Sequence, residues 1–338
     1  MSKNNLTKIV ATFALCAVGF TTPMESRAAA NVTPLWLRDV MISPDGQQIA
    51  FCYKGDIYKV SVNGGQAIRL TTQPTYESTP IWSPDGKQIA FASDRHGNFD
   101  VFVMSSEGGD ATRLTYNSTS EIPSTFTPDG KHVLFSASIQ DQFTSALFPT
   151  RRLTELYKVP VSGGRSVQCL GNAMEMLHFT PDGKKILYQD QKGMEDEWRK
   201  HHTSSVTRDI WIYDTEKKLY TNLTNKAGED RNPTISTDGK TVYFLSERNG
   251  GTFNVYSFPL NNPSSIQAVT NYKKHPVRFL SISNNNTLCY TFDGEIYTQP
   301  LNGNAKKVNI TLTKDDEVTV ATLRFSNGAT EGAVSTDG

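Results

Sequence analysis

The stretch Ser83-Pro84-Asp85-Gly86-Lys87-Gln88-Ile89-Ala90-Phe91 decides the fold, because its first four residues recur along the chain with small changes. Proline at the second position of a turn presets φ, aspartate suits the third position, and glycine closes a type I turn. The apolar run that follows is rich in β-formers, so each copy reads as a turn that leads into a strand. The other copies are Ser43-Pro44-Asp45-Gly46, Thr127-Pro128-Asp129-Gly130, Thr180-Pro181-Asp182-Gly183, Ser236-Thr237-Asp238-Gly239, the degraded Ser283-Asn284-Asn285-Asn286, and Ser335-Thr336-Asp337-Gly338.

Two further signatures follow the turn, the first in six repeats and the second in four. A polar, an aliphatic and an aromatic residue follow one another downstream, as in Asp56-Ile57-Tyr58 and Asp100-Val101-Phe102. A last short strand then ends in Leu-Thr or Val-Thr, as in Leu70-Thr71. Each unit of roughly 40–55 residues therefore carries four strands, which is typical of a propeller blade.

The repeats predict an all-β fold, a six-bladed β-propeller of four-stranded antiparallel blades spanning residues 31–312. A β-sandwich is the alternative, but a sandwich would not repeat its turn chemistry in register. Residues 313–338 are interpreted as a connector and the start of a further repeat. That repeat is a seventh blade or a truncated second propeller, and the absence of the later signatures favours the second propeller. The chain is therefore expected to be the amino-terminal portion of a longer protein.

The amino terminus has the pattern of a secretory signal peptide over residues 1–30. Lys3 and Lys8 precede an apolar run over residues 9–20, and Ala28-Ala29-Ala30 offers an Ala-x-Ala cleavage pattern. Twelve apolar residues are too few to span a bilayer as a helix, so no membrane span is expected. The pattern predicts an exported protein, periplasmic or secreted.

Charge and cysteine content exclude several classes of protein. The mature part carries 31 basic and 33 acidic residues, so nothing attracts nucleic acid or anionic lipid. Cys52, Cys169 and Cys289 remain, and we expect buried free thiols rather than a disulfide framework, although their pairing is not decided by the sequence. No motif for catalysis, for a cofactor or for a metal is present, and none of the three is assigned.

A set of charged residues lies seven or eight positions before the third residue of each turn. The first strand of a propeller blade lines the central channel, so these residues are predicted to form a ring that selects or steers a ligand such as a peptide terminus. The alternative is that the acidic members satisfy backbone amides or pair with the two arginines. The six are Arg38, Glu77, Glu121, Glu175, Asp230 and Arg278.

Two blades carry insertions between their second and third strands, over residues 138–154 in blade 3 and 189–208 in blade 4. Rigid blades present such loops for function, and tryptophan with arginine is favoured at contact surfaces. The pair is predicted to dock another domain or subunit, and a solvated hairpin extension is the alternative. Adjacent histidines on a strand point to opposite faces, which argues against a metal site. The docking residues are Arg151, Arg152, Glu195, Glu197, Trp198, Arg199, His201 and His202.

The repeat resembles known propeller families. The Ser-Pro-Asp-Gly turn, the Ser93-Asp94-Arg95 hairpin and the Asp-Ile-Tyr strand resemble the periplasmic TolB propeller. The segments 34–38, 51–58, 188–193 and 196–202 are similar to the first propeller of exported tricorn-like serine peptidases, and this resemblance covers nearly all of the mature chain.

The resemblance to tricorn-like peptidases implies that two propellers precede a PDZ-like module and a catalytic domain, and that the propeller channels peptides toward a serine nucleophile. None of the catalytic residues has a matching position here. Arg38 and Arg278 depart from an all-acidic ring, which argues against a simple cation site.

Three functions follow from these observations. The first is a non-catalytic, substrate-gating propeller of an exported serine peptidase, whose partners are peptides or unfolded polypeptide and its own carboxy-terminal domains. The second is a TolB-like periplasmic protein-binding module without enzymatic activity. The third is the propeller of a prolyl-oligopeptidase-type hydrolase, in which Glu195 and Glu197 would bind a substrate amino terminus. A homo-oligomer is left open.

Overall fold

The computed structural model describes residues 31–139, 154–192, 206–226, 228–248 and 252–313. All regular elements in these residues are β-strands, and they fall in one unit, Asn31–Thr313. The described part of the chain holds no helix that could cross a bilayer. The interpretations of residues 1–30 and 314–338 lie outside the described residues.

Six four-stranded antiparallel sheets follow one another along the chain, and each is built from consecutive strands except in blade 1, where one short strand is left out. Blades 1 to 3 consist of β2 (Arg38–Ile42), β3 (Gln48–Tyr53), β4 (Asp56–Ser61) and β6 (Ile68–Arg69); β7 (Glu77–Trp82), β8 (Gln88–Ser93), β9 (Asp100–Ser105) and β10 (Thr112–Arg113); and β11 (Glu121–Phe126), β12 (His132–Ala137), β13 (Glu155–Pro160) and β14 (Val167–Leu170). Blades 4 to 6 consist of β15 (Met174–Phe179), β16 (Lys185–Asp190), β17 (Ile210–Asp214) and β18 (Leu219–Asn222); β19 (Asp230–Ile235), β20 (Thr241–Ser246), β21 (Asn254–Pro259) and β22 (Gln267–Ala268); and β23 (Val277–Ile282), β24 (Thr287–Phe292), β25 (Glu295–Pro300) and β26 (Lys306–Lys307).

The repeated tetrapeptide forms the turn between the first two strands of every blade. In blade 2 the Ser83 hydroxyl donates to Asp85 Oδ1 at 2.6 Å and accepts the Gln88 amide at 2.9 Å, while Asp85 Oδ1 also accepts the Lys87 amide at 3.1 Å. Gly86 has a φ of 72°, which only glycine adopts without strain. The predicted turn and strand are confirmed, and the hydroxyl-to-carboxylate bond recurs in blades 1 to 5. In blade 6 the Ser283 hydroxyl donates instead to the carboxamide oxygen of Asn285.

The threonine that follows the fourth strand ties that strand to the third one. The hydroxyl oxygen of Thr71 accepts the amide of Ile57 at 2.9 Å, and Thr115 accepts the amide of Val101 at 2.8 Å. Thr224 and Thr270 repeat the contact in blades 4 and 5. The two downstream signatures of the sequence are therefore halves of one interaction.

Six hydrophobic clusters lie between neighbouring blades and hold them together. Ile57 and Phe51 of blade 1 and Phe91 of blade 2 are fully buried. One cluster joins each successive pair of blades, and the sixth joins blade 6 to blade 1. The blades therefore close into a ring of six, which confirms the predicted propeller and excludes the sandwich.

Two sets of contacts join the first and last blades of the ring. A small sheet orders β1 (Asn31–Val32), β27 (Ile310–Thr313) and β5 (Gly65–Gln66), so the two ends of the described chain pair beside blade 1. Neighbouring turns also lie side by side around the ring and form a collar. In blades 2 to 5 the turn proline of the preceding blade lies within 4.0 Å of the place that a Cβ on the turn glycine would take, with Pro44 beside Gly86, Pro84 beside Gly130, Pro128 beside Gly183 and Pro181 beside Gly239. Hydrogen bonds join Thr237 to Asn286 and Asn284 to Pro44.

The three cysteines in the described residues are free thiols. Cys52 and Cys289 are buried in the second strands of their blades, and Cys169 is half-buried on β14. Burial raises the pKa of both buried thiols, which makes them poor nucleophiles.

Candidate functional site

The six first strands surround a cavity on the axis of the ring. Its volume is about 80 Å³, and its lining includes at least one residue from each of β2, β7, β11, β15, β19 and β23. The expectation that the first strands line the channel therefore holds. Several water molecules fit into a cavity of this size.

A β-bulge shapes this cavity in each blade. In blade 2, Ser78 pairs with Ala92 and Ile81 pairs with Ala90, so two residues of the first strand face a single residue of the second. Equivalent register shifts occur in the other five blades. Bulges bend a strand and re-aim its side chains.

The bulge residues adopt left-handed backbone conformations and line the axial cavity. Five of them, six positions before the third turn residue of their repeat, have φ between 49° and 57° although none is glycine. Pro123 holds the sixth position, and its ring fixes φ near −65°. The five are Asp39, Thr79, Met176, Asn232 and Phe279, and all five line the cavity.

Backbone amides near the bulges are bound by side chains of the preceding blade. The Thr79 amide donates to Asp39 Oδ2 at 3.4 Å, the Leu177 amide to Ser124 Oγ at 2.9 Å, and the Asn232 amide to Gln189 Oε1 at 2.9 Å. At the closing seam, the Ile42 amide donates to Ser281 Oγ at 3.2 Å. These bonds hold the lining strands in place, because a strained φ persists only where its surroundings over-determine it.

His178 is a titratable member of the cavity lining. Its Nδ1 lies 3.3 Å from the Thr234 hydroxyl, and burial lowers its pKa to about 4. The imidazole is therefore neutral at physiological pH. The lining otherwise combines the Asp39 carboxylate with small polar groups and with the apolar side chains of Met176 and Phe279.

The six charged residues predicted as one ring occupy two different environments. Glu77, Glu121 and Asp230 stand eight positions before the third turn residue and are buried, with at most 2% exposed. Arg38, Glu175 and Arg278 stand seven positions before it, where Arg38 is exposed and the other two are half-buried. One uniform ring facing the channel is therefore not what the structure shows, because adjacent positions on a strand point to opposite sides.

The buried carboxylates bind partners inside their blades. Arg95 Nη2 donates to Glu77 Oε1 at 3.2 Å, and its Nε donates to Ser93 Oγ at 2.9 Å. Arg248 repeats both contacts with Asp230 and Ser246, at 2.8 Å each. The two arginines brace their hairpins.

Glu121 is the exception among the buried carboxylates. Ile139 stands where blades 2 and 5 have Arg95 and Arg248, so no lysine or arginine of the described residues forms an ion pair with Glu121. It accepts the Asn117 amide at 3.3 Å. Burial raises the pKa of Glu121.

Glu175 belongs to a chain of ion pairs between blades 4 and 5. Arg208 lies between Glu175, at 3.3 Å, and the buried Glu229, at 2.9 Å. Glu229 also lies 3.2 Å from Arg231 Nε, and the Arg231 guanidinium lies 4.4 Å from the centre of the Phe253 ring. Arg231 and Arg278 line a small second cavity of about 30 Å³ that shares Met176, Asn232 and Phe279 with the axial one.

The predicted docking insertions fall mostly outside the described residues. This holds for all eight named docking residues, Arg151, Arg152, Glu195, Glu197, Trp198, Arg199, His201 and His202. Their docking role stays a prediction. Among the described residues, no group of three or more histidines, cysteines and carboxylates is placed to hold a metal ion.

The bulge residues were missed in the sequence. The only sequence feature that marks them is their constant spacing from the turn. If side chains alternated strictly between the two faces of the first strand, nothing would place these residues on the channel. The bulge shifts that alternation by one residue, and short sequence patterns do not reveal a bulge.

The fold has relatives among solved structures. The crystal structure of the tricorn protease superposes with a TM-score of 0.66 at 21% identity over 81% of this chain and 26% of that one. TolB from Acinetobacter baumannii gives 0.58 at 20% identity, over 81% of this chain and 64% of that one. A protein assigned as TolB from Agrobacterium tumefaciens gives 0.54 at 19% identity, over 73% of this chain and 89% of that one.

Sequence comparisons identify the family. An uncharacterized peptidase of Bacillus subtilis (strain 168), YuxL, is 37% identical over 76 residues, which are 21% of this chain and 11% of that protein. The chain thus spans a small part of that relative and about a quarter of the tricorn protease. The model of the tricorn protease N-terminal β-propeller domain matches residues 34–305. Over that range, the chain belongs to the tricorn protease N-terminal β-propeller family.

Proposed function

We propose that this propeller is a non-catalytic gate that admits unfolded peptides to the proteolytic domain of a longer, exported peptidase. One observation carries the proposal, which is the axial cavity of about 80 Å³ lined by all six first strands. An opening of this size excludes any folded domain. Its lining places hydroxyl and amide side chains beside Met176 and Phe279. This combination of polar and apolar groups can accept many peptide sequences.

The family supports the proteolytic context. Membership in the tricorn protease propeller family and the partial match to a peptidase both favour a parent protein that cleaves peptides. Export is inferred from the signal-peptide pattern of residues 1–30. Under this proposal the catalytic residues lie in other domains, and this chain contributes exclusion and guidance.

The gate works by size and by the mobility of two side chains. Met176 is 37% exposed on the cavity lining, and its unbranched side chain has several accessible rotamers. Phe279 faces the same cavity. A cavity of about 80 Å³ is too small for a peptide segment, so entry requires these two side chains to move aside, while the bulged backbone that carries them stays fixed.

Methyl NMR tests whether peptides reach the axis. A spin-labelled unstructured peptide is added to protein labelled with ¹³C at the methionine methyl groups, and Met176 is assigned with Met176→Leu. We expect the peptide to broaden the Met176 resonance, whereas a spin-labelled folded domain of similar charge leaves it sharp. Met104, which is 3% exposed inside blade 2, is the internal control.

Either of two results would overturn the gate. The first is a Met176 resonance that the peptide does not affect, and the second is equal broadening by the folded domain. The same spectra also address the TolB-like binding module, the second candidate, which is favoured because the chain spans 89% of the TolB from Agrobacterium tumefaciens. A binding module without a gate would show broadening away from the axis and none at Met176.

A further inference from the structure

A groove between blades 3 and 4 has the features of a ligand site and lies apart from the axis. Its volume is about 560 Å³. Blade 3 contributes Glu155, and blade 4 contributes Tyr188, Asp190, Trp211 and Tyr220. No residue of an inner strand is among its described lining residues, so the groove is independent of the gate proposed above.

Aromatic side chains form one wall of the groove. Tyr188 is opposite Trp211 across β16 and β17, and Tyr213 is opposite Tyr220 across β17 and β18, with ring centres 4.6 Å apart. Residues opposite one another on antiparallel strands project to the same face. The indole Nε1 of Trp211 donates to Asp190 Oδ2 at 3.1 Å, which fixes the orientation of the ring.

Negative charge collects beside this wall. Asp190 Oδ1 accepts the Asp209 amide at 2.7 Å, and the Asp209 carboxylate lies 2.5 Å from Lys192 Nζ. Lys192 Nζ is also 3.8 Å from Asp190 Oδ2. Asp190 and Asp209 share the Lys192 ammonium group, and Glu155 lies on the blade 3 side of the groove, so these four groups carry a net charge of −2.

The next inter-blade groove shows that this charge is not a general property of the ring. A groove of about 570 Å³ lies between blades 4 and 5 and is lined by Lys226, Arg248 and Tyr256. None of its described lining residues is a carboxylate. Two grooves of similar size between neighbouring blades therefore differ in their charged groups, and of the two only the first combines carboxylates with a tryptophan.

We propose that the groove between blades 3 and 4 binds a cationic side chain of a partner peptide, with a guanidinium group stacked on the aromatic wall and bonded to Asp190 and Glu155. Cations bind the faces of tryptophan and tyrosine, and arginine does so most often. A carboxylate accepts charge-assisted hydrogen bonds from the guanidinium group. Together these contacts recognise an arginine far better than a neutral side chain of the same shape.

The position of the groove agrees with the predicted docking function of the insertions. Thr154 is the last residue of the blade 3 insertion and Glu155 follows it, while Asp190 and Gln191 lie near the start of the blade 4 insertion. A peptide seated here would therefore lie at the stems of both insertions.

Matched peptides test the proposal on the intact chain. The probes are acetyl-Gly-Arg-Gly-amide and the same peptide with citrulline, which keeps the shape of arginine without its charge. We expect the arginine peptide to shift the indole ¹⁵N–¹H resonance of Trp211 and to bind at least tenfold more tightly than the citrulline peptide. Binding should also weaken several-fold between 50 and 500 mM salt, because charges at an open groove are screened.

Variants assign the binding to the two carboxylates. Glu155→Gln should weaken binding of the arginine peptide at least threefold, and Asp190→Asn should weaken it at least tenfold. The affinity for the citrulline peptide should stay unchanged in both variants. Glu216→Gln removes an exposed carboxylate on the β17–β18 turn of blade 4 and should leave both affinities as they were. Equal binding of the two peptides, or an arginine affinity that neither Glu155→Gln nor Asp190→Asn reduces, would overturn the proposal; Glu155→Gln decides alone if Asp190→Asn disturbs the fold.

Discussion

Glu77 and Glu121 occupy the same position in successive blades, yet their side-chain partners differ. Glu77 bonds to Arg95, whereas the corresponding residue beside Glu121 is Ile139. Removing one partner of a buried ion pair leaves the other charge uncompensated, while removing an unpaired buried charge relieves its desolvation. The two glutamates should therefore respond in opposite directions to the same substitution.

We predict that Glu77→Gln destabilises the protein by about 3 kcal/mol, and that Glu121→Gln leaves it equally or more stable at pH 7. Chemical denaturation followed by circular dichroism measures both free energies of unfolding. Arg95→Leu combined with Glu77→Gln is the control, since it removes both charges and should recover part of the loss. A destabilisation of the same size in both single variants would contradict the finding that no lysine or arginine among the described residues forms an ion pair with Glu121.

The effect of Glu121→Gln should also depend on pH. The pKa of Glu121 is raised in the folded state by burial, so the folded protein holds this proton at a pH where the unfolded chain has lost it. Ionisation of Glu121 therefore costs stability as the pH rises through its folded pKa. The gain in free energy of unfolding that Glu121→Gln gives over the unchanged protein should be smallest below pH 4. It should grow as the pH rises through the pKa of Glu121 in the folded protein and stay constant above it. Thermal melts of both proteins from pH 4 to 8 measure this difference, and an advantage that grows toward low pH would refute it.

Among the structural elements, the turn collar brings the first and last blades together at the seam of the ring. Gly46 and Gly86 occupy the same turn position with φ of 70° and 72°. A Cβ on Gly86 would meet only Pro44 Cδ, at 4.0 Å, whereas a Cβ on Gly46 would overlap the carboxamide of Asn285 from blade 6. The degraded turn motif of blade 6 thus places an asparagine against the first turn, at the seam of the ring.

We predict that Gly86→Ala costs about 1–2 kcal/mol through its left-handed backbone alone, and that Gly46→Ala costs clearly more. The double variant Gly46→Ala/Asn285→Ala should return to the cost of Gly86→Ala, because the overlapping group is gone. Equilibrium denaturation of the three variants measures the differences. Equal costs for the two single variants would show that Asn285 simply moves aside.

These elements also show what the sequence could and could not provide. Ser83-Pro84-Asp85-Gly86 acts within a few residues, so its repetition predicted strands, blades and their number. The channel lining depends on a bulge that changes the facing of the first strand by one residue, as at Thr79, and local patterns do not record that change. The groove between blades 3 and 4 depends on residues brought together from two blades, such as Glu155 and Trp211, and a single repeat cannot reveal their proximity.

At the scale of the whole molecule, the ring is closed by the pairing of its two ends. Leu312 of β27 is 5% exposed and packs in the cluster that joins blades 6 and 1, while Leu187 is fully buried in the cluster that joins blades 4 and 5. Because each of these two clusters touches only two blades, the loss of one leucine should loosen one seam. Local opening of this kind is visible in amide hydrogen exchange.

We predict that Leu312→Ala and Leu187→Ala each destabilise the protein by about 2–5 kcal/mol, but that they differ in where exchange accelerates. Leu312→Ala should expose amides of blades 1 and 6, and Leu187→Ala those of blades 4 and 5. Hydrogen exchange with mass spectrometry under native conditions resolves these segments. Acceleration of the same amides by both variants would show that the ring opens only as a whole, and the closing sheet would then have no local role. A pattern confined to each seam would mean that a propeller closed by short end strands can open at that seam while the opposite blades remain packed.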